Sequence, residues 1–577
     1  MILDNTSEVT VECLTDILTN FCAFFTVQDL RSLMFILCGE CVQQRIALLR
    51  GGNFDSDCVA HGRLLLAFGD VTVQDLAKDY DDPKSQLILH MLHGLLTCEG
   101  YAVAEDEICA SALEFWNTFT EFMIDSLFAD GEIRGTWIDP ARNHVLRAIE
   151  ECWVKIRFPA QEEVGSWDSE VRTGFKAFRA DVKDLLQASY TLIGVEILDK
   201  FADLALISLE RRDWVDLEST LFCLNALSDC TADEESVDRT LERLFGSPMF
   251  TLLSNSEVTV PAKTRQTAVY ALGHYTAFFE RHTRYLPSAL NFLFTSLETS
   301  ALAVAASKSI SALCSSCRKA LIAELGTFIQ QYEAFLEWPS ADISSKVKVM
   351  GAIAAIVQAV PSEEVRIESL DRLLLFVEAD LHSCLRLAGA GHLEDAQATA
   401  LTALRCLASM GKALQAPDDV PIELDGDTCH ISIWNQGHGA SIQARIVHCL
   451  EVIPDVFRND GEIVEAACDV LRTGYKETAP GPFVFAPQVT INFVYRSTLN
   501  TSRLDYVLNT ACVLLTRHSS DSSTRIDDAA NSLLVHTLKL IHLLDGNPLH
   551  SSSSPLPGTD PDSSRPCKRP RGRIKLH

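Results

Sequence analysis

Apolar positions recur at three- and four-residue steps along almost the whole chain, and the two-residue alternation of strands is nearly absent. The pattern predicts helices of roughly twelve to twenty residues, separated by short breaks rich in Pro, Gly, Asp or Ser. Such breaks stand at Asp81 (DDP), Gly246 (GSP), Trp338 (WPS) and Val360 (VPSEE). The helices come in pairs of similar length. KTRQTAVYALGHYTAFFERH is followed by YLPSALNFLFTSLE, ALAVAASKSISALCSS by RKALIAELGTFIQQYEAFLE, and SSKVKVMGAIAAIVQAV by EEVRIESLDRLLLFVEADL. The repeat is close to forty residues, the range of HEAT and armadillo pairs. Each pair has more apolar surface than it can bury alone, so the pairs must stack. The expected fold is therefore all-α, a HEAT/armadillo-type superhelix over residues 1–545.

Two longer loops are expected, at LRGGNFDSDC and at QAPDDVPIELDGDTCHISIWNQGHG. Residues 546–577 break the pattern. They are Ser/Pro-rich, then basic, and are expected to be disordered. Their KRPRGR run resembles a nuclear localisation signal, against the simpler reading of a solvated tail or of sequence translated past an exon end.

Composition adds limits. A chain of 577 residues with 47% hydrophobic side chains buries more than one core serves. No apolar run reaches the length of a membrane span, and the first residues carry acids where a signal peptide carries bases, so cytosol or nucleus is expected. The net charge of −29, from 49 basic and 78 acidic residues, disfavours nucleic acid and favours basic partners. Nineteen cysteines are scattered through helical segments. Most, such as Cys13, Cys152, Cys223 and Cys468, fall at apolar positions, as buried thiols do in a reducing compartment.

Candidate chemistry is thin. Cys314 and Cys317 have the C-x-x-C spacing of zinc and dithiol sites. They also continue the stripe Leu302, Ala306, Ile310, Leu313 toward Leu321, with no further ligands nearby and no βαβ context, so packing is expected. His90 and His93 have no third ligand and are expected to be core or surface histidines. Asp81, Asp82 and Glu105–Asp106–Glu107 are expected as solvated turn or helix-start acids. There is no Walker A, dinucleotide-binding or nucleophile-elbow pattern. Catalysis, a cofactor and a metal are not expected.

Four stretches together resemble the importin-β superfamily of nuclear transport receptors, in the branch of importin thirteen, transportin-SR and the yeast mRNA-transport regulator. EDEICASALEFWNTFTEFM carries Phe115 and Trp116. The stretch from Trp167 to Gly194 carries Phe175, Phe178, Arg179, Val182, Asp184 and Leu185. DWVDLESTLFCLNAL carries Trp214, Glu218, Leu221 and Phe222. HTRYLPSALNFLF and the Ala-rich helix after it carry Pro287, Cys314 and Cys317. A weaker likeness continues to about Thr516.

The resemblance implies a HEAT-repeat superhelix that binds and does not catalyse. It implies shuttling between nucleus and cytoplasm. The implied partners are protein cargo with basic or Arg/Ser-rich segments, nucleoporin Phe-Gly repeats on the outer surface, and Ran-GTP in a full-length form, with no direct nucleic acid or membrane contact. An acidic concave face is expected to draw basic cargo. Against the family pattern the chain starts several repeats in and stops early, and so reads as a middle stretch lacking the N-terminal repeats on which Ran recognition mainly depends. In the helix that grips phosphorylated Arg/Ser cargo in transportin-SR members, here EIVEAACDVLRTGYKE, only Arg472 and Lys476 are basic. They are expected on one face as weak partner contacts, or as an ordinary solvated face, while Ala466 and Asp469 stand where more bases belong. The competing reading is a helical-repeat scaffold with no transport role.

Overall fold

The computed structural model describes residues 2–129, 136–159, 161–232, 234–255, 257–415, 433–477, 480–517 and 524–545. Its first half contains helices α1 (Ile2–Phe21), α2 (Val27–Leu37), α3 (Glu40–Arg50), α4 (Ser56–Lys78), α5 (Pro83–Leu96), α6 (Cys109–Ala129), α7 (Ile138–Lys155), α8 (Gln161–Ser166), α9 (Ser169–Ile193), α10 (Val195–Arg211), α11 (Trp214–Thr231), α12 (Asp238–Phe245) and α13 (Met249–Ser254). The second half contains α14 (Ala262–His274), α15 (Thr276–Arg281), α16 (Leu286–Leu297), α17 (Ser300–Ser316), α18 (Leu325–Leu336), α19 (Ile343–Gln358), α20 (Glu363–Gly389), α21 (Leu393–Ala413), α22 (Gly437–Val456), α23 (Gly461–Arg472), α24 (Pro487–Tyr495), α25 (Leu504–Arg517) and α26 (Thr524–Asp545). Among the described residues the only β pairing is an isolated bridge between Ala102 and Asp106.

The polar breaks work as helix starts. Asp55, Asp82, Asp168, Asp213, Asp342 and Asp460 each accept a first-turn backbone N–H, which satisfies donors a helix leaves orphaned. Gly194 joins α9 to α10 with φ of 78°, a conformation that side chains other than glycine resist.

The helices form two rows over a shared core that runs from Leu18 to Phe483, followed by a smaller cluster around Cys468, Ile491 and Val507. One row, α4, α6, α9, α11, α14, α17, α19, α21, α23 and α25, is closely packed. Its partner helices, among them α7, α10, α12, α16, α18, α20 and α22, stand further apart. In a curved stack the closer row lies inside the bend, so the closely packed row is the inner one. Glycine makes that closeness possible. A Cβ added to Gly273 would sit 2.7 Å from Ser309 Oγ, and one on Gly411 would sit 2.5 Å from Thr473 Oγ1. A Cβ on Gly351 would collide with Ser409.

The all-α repeat architecture is as the periodicity predicts, but several details differ. The stretch from Lys263 to His282 is two helices, broken at Tyr275, whose buried hydroxyl donates to Leu224 O at 2.5 Å. The helix expected from Arg318 begins only at Leu325, after a 3-10 turn over Ile322–Glu324. Cys13 is exposed, because α1 lies at one end of the stack and packs mainly on α4. Apolar side chains also stand exposed at both ends, with Phe24 76% and Phe35 67% exposed on one and Leu534 58% and Leu543 60% on the other. Most of the second expected loop, and the whole 546–577 tail, lie outside the described residues.

Candidate partner-binding grooves

Helix α7 lines two concavities among the described residues, and buried polar contacts as well as packing hold it in place. The two family-like motifs around Arg179 and Glu218 meet in space. Arg179 reaches Glu218 through bonds of 2.9 and 3.1 Å and donates to Ile156 O at 2.5 Å. Its guanidinium is stacked between Phe158 at 4.3 Å and Phe222 at 4.1 Å. Glu218 also accepts from Thr267 Oγ1 at 2.8 Å. One buried ion pair thus joins the end of α7 to α9, α11 and α14. Trp153 Nε1 donates to Thr220 Oγ1 at 3.0 Å, and Arg157 pairs with Asp216 at 2.7 Å, which fasten the same end of α7 to α11.

On the far side, α7 faces α10 across a gap. Arg142 bridges it at one end, to Glu196 at 2.9 Å and to Ile193 O at 2.9 Å, and Lys200 pairs with Glu150 at the other. Between the pairs lies an apolar groove of about 230 Å³ lined by Leu146, Ile149, Trp153, Val154, Ile197, Phe201 and Leu204. That is less than the roughly 300–1,000 Å³ of small-molecule sites and suits a single aromatic or aliphatic side chain. Beyond the ridge of Glu150 and Val154 a wider cleft of about 800 Å³ opens toward Tyr101, Phe158 and Val215. Its floor is held by Lys155, which pairs with Asp106 at 2.6 Å and donates to Cys98 O and Gly100 O at 2.7 Å. Asp106 is therefore not a solvated acid. It is buried, capping α6 through Ile108 N and Cys109 N at 3.0 Å.

His93 lies behind the cleft as a core histidine, stacked on Trp116 at 4.0 Å and bonded to Glu151 at 2.6 Å and to His144 at 3.1 Å. Burial, helped by Arg147 and His90, pushes its pKa down to about 2. Among the described residues no three His, Cys, Asp or Glu side chains are placed to share a metal ion.

The other singled-out residues sort plainly. Phe115, Trp116, Phe175 and Phe178 are core, Trp214 is half-buried at the start of α11, and Asp184 is exposed on α9. Pro287 is exposed in the first turn of α16, where its missing N–H costs nothing. Cys314 and Cys317 are buried, and burial pushes both thiols up, Cys317 to about 12, which removes thiolate reactivity. Cys317 stands just past the end of α17 yet stays in the core beside Leu313, Cys314 and Leu321, as packing requires.

Arg472 and Lys476 do not share a helix face, since α23 ends at Arg472 and Thr473–Lys476 is a 3-10 turn. There Gly474 lies so close to the Phe483 carbonyl that a Cβ would overlap it. Arg472 bonds to Thr510 at 3.0 Å and stacks on Tyr506 at 4.2 Å, while Lys476 is exposed. The inner row is not uniformly acidic either. Helices α14, α17 and α19 contain no Asp or Glu, and the exposed carboxylates of these repeats, such as Glu333, Glu364, Glu368 and Asp371, stand on α18 and α20.

The convergence of Arg179 with Glu218 and Thr267 was not foreseeable from spacing alone. Its signal is a charge set within an apolar stripe, Arg179 between Phe178 and Val182, and Glu218 between Leu217 and Leu221.

Comparison with known proteins agrees with the repeat pattern. Residues 250–331 match the family described as the Transportin-3/Importin-13 third TPR domain. The importin beta-like protein kap111 of Schizosaccharomyces pombe is 25% identical over 506 residues, 85% of this chain and 49% of the relative. Human importin-13 is 22% identical over 344 residues, 59% of this chain and 34% of the relative. The chain thus spans about half the length of the first and a third of the second. A solved structure of importin-13 in its cytosolic state superposes with a TM-score of 0.78 at 17% identity, covering 94% of this chain and 60% of that one. Importin beta follows at a TM-score of 0.55 and 12% identity, covering 96% of this chain and 64% of that one.

Proposed function

We propose that the chain, similar to importin-13 and to an importin beta-like protein, is a nuclear transport receptor that acts by binding and shuttles between cytoplasm and nucleus. The observation that carries this reading is similarity along 85% of the chain to an importin beta-like protein, on a helical stack whose surface offers apolar grooves. The α7–α10 groove is proposed to take the phenylalanine of a nucleoporin Phe-Gly repeat. It is apolar, sized for one ring, and on the outer row. Basic or Arg/Ser-rich cargo segments are proposed to meet the exposed carboxylates of α18 and α20 by charge steering. Of the two basic residues near α23, Lys476 is the one free to meet a cargo phosphate. Ran-GTP is proposed as a further partner.

The test is binding of the recombinant chain to a Phe-Gly repeat peptide. The wild type should bind, and Val154→Glu, at a position 48% exposed, should weaken binding without lowering the melting temperature. Equal binding by both would remove the groove from the proposal. No binding to Phe-Gly repeats or to any basic nuclear cargo would leave a helical-repeat scaffold as the better reading.

A further inference from the structure

The acid-free helices of the inner row carry charge of one sign. Over α14, α17 and α19 the charged residues are Lys263, Arg265, Lys308, Lys346 and Lys348, in a chain of net charge −29. None of these five forms an ion pair among the described residues. Lys263 donates to Gln266 Oε1 at 3.2 Å and stands over the Phe158 ring at 5.1 Å, and Lys348 donates to Ser344. Many cations elsewhere hold carboxylates, among them Arg142, Lys200, Arg243, Arg281, Arg284, Arg445 and Arg496. Where outer-row cations such as Arg366, Arg372 and Arg386 on α20 form no ion pair among the described residues, Glu364, Glu368 and Asp371 share their helix. Paired cations also bound the stretch on either side, Arg179 with Glu218 before it and Arg405 with Glu462 after it.

The register brings the unpaired cations together. Ser309 on α17 bonds to Val269 O on α14 at 2.8 Å, and Ser307 on α17 lies 3.4 Å from Ser345 on α19, so the three helices run level at Lys308. Lys308 stands exposed in the middle of α17, on a stripe whose other exposed members are Ala301, Val304 and Ser315. Lys348 feels Lys308 as a like charge, and burial followed by that repulsion lowers its pKa, opposed only by Asp342 at the start of α19. Lys346 acts as an opposite charge on the half-buried Asp380 of α20, without forming an ion pair with it. The surface is therefore positive and low in relief, and a partner backbone can approach it closely.

We propose that the inner face of α14, α17 and α19 is a docking surface for an acidic, Asp/Glu-rich segment of a partner protein, with Lys308 and Lys348 at its centre and Lys263 at its edge. Like charges held side by side without counter-ions cost stability, and carboxylates from a partner relieve that cost. A long polyanion fits worse, because the rest of the chain repels it beyond these three helices. This site lies apart from the α7–α10 groove and from the carboxylates of α18 and α20, so it stands whether or not the transport reading does.

The experiment measures anisotropy of a labelled Glu-rich peptide and of a labelled single-stranded oligonucleotide on the full chain, at low and physiological salt. The peptide should bind the wild type and weaken as salt rises. Lys308→Glu with Lys348→Glu should reduce its affinity by about tenfold or more, whereas Lys308→Arg with Lys348→Arg should retain it. Circular dichroism of both variants checks that the helices persist. Failure of the wild type to bind the peptide, or equal binding by the charge-reversed variant, would overturn the proposal. Tighter binding of the oligonucleotide than of the peptide would overturn it in favour of a nucleic-acid surface.

Discussion

The two rows of helices come from one repeating sequence, yet different forces hold them. Along the inner row, neighbouring helices touch through glycine and serine at Gly273, Gly351 and Gly411, and buried groups bond across them, as Asn225 does to Thr267 O at 3.1 Å. Along the outer row, the links are ion pairs at the surface. The contrast is sharpest between Arg179–Glu218, 6% and 3% exposed, and Arg243–Asp203, 48% and 53% exposed. A close-packed row resists sliding because every shift opens voids or forces clashes. A row of solvated ion pairs can part and re-form at little cost. The stack is thus built to bend, with the inner row as its spine and the outer grooves as the parts that widen or narrow. A receptor whose partners compete through curvature would use that difference.

The largest effect should come from breaking the buried pair on the spine. Glu218→Ala leaves Arg179 charged and unpaired between two rings, at a cost of about 3–5 kcal/mol. Since repeat proteins unfold piecewise, the loss should appear as faster hydrogen exchange in α9, α11 and α14 ahead of the rest of the chain. Arg179→Met combined with Glu218→Leu should recover most of the loss. A single Glu218→Ala variant with unchanged exchange in these helices would mean that the pair does not join the repeats. A smaller loss on the same row, about 1–3 kcal/mol, is expected from Gly351→Val, whose side chain must displace Ser409. It should be read from the urea midpoint and from exchange in α19 and α21.

These two variants also mark what the sequence makes legible. The helical period, the pairing of helices and the burial of Phe115, Trp116, Phe175 and Phe178 follow from apolar spacing, because a helix must hide its stripe. The acids at breaks are readable as caps for the same local reason. Charge partners are not readable that way. Asp106 has the spacing of a helix-start acid, and only the arrival of Lys155, on another helix, buries it. Arg472 and Lys476 fall four apart, but the turn at Gly474 is set by the distant Phe483 carbonyl. The net charge of −29 suggests an acidic inner face, but it is a sum over both rows and says nothing of how they divide it. Contacts between repeats depend on register across about forty residues, which no local window contains.

The cysteines test the spine more gently. Cys314→Ala with Cys317→Ala removes two buried sulfurs from between α17 and its neighbours and should cost about 1–2 kcal/mol in all. Phe-Gly and acidic-peptide binding should be unchanged. Loss of either without loss of stability would show that the pair does more than pack.

The smallest change in stability is expected on the outer row, and it carries most of the information about bending. Lys200→Ala removes the pair with Glu150 at one end of the α7–α10 groove, where the two side chains are 42% and 50% exposed. Exposed pairs of this kind contribute about 0–1 kcal/mol, so the melting temperature should barely move. The shape should move more. With one end of the gap untied, α7 and α10 are held only by Arg142 and the apolar lining, and the stack gains freedom at that step. Small-angle scattering should show the wild type becoming more extended as salt screens the outer pairs. The variant should already be extended at low salt and respond less to added salt. If both proteins keep one radius of gyration at every salt concentration, the outer pairs do not set the curvature, and the spine alone fixes the shape of the molecule.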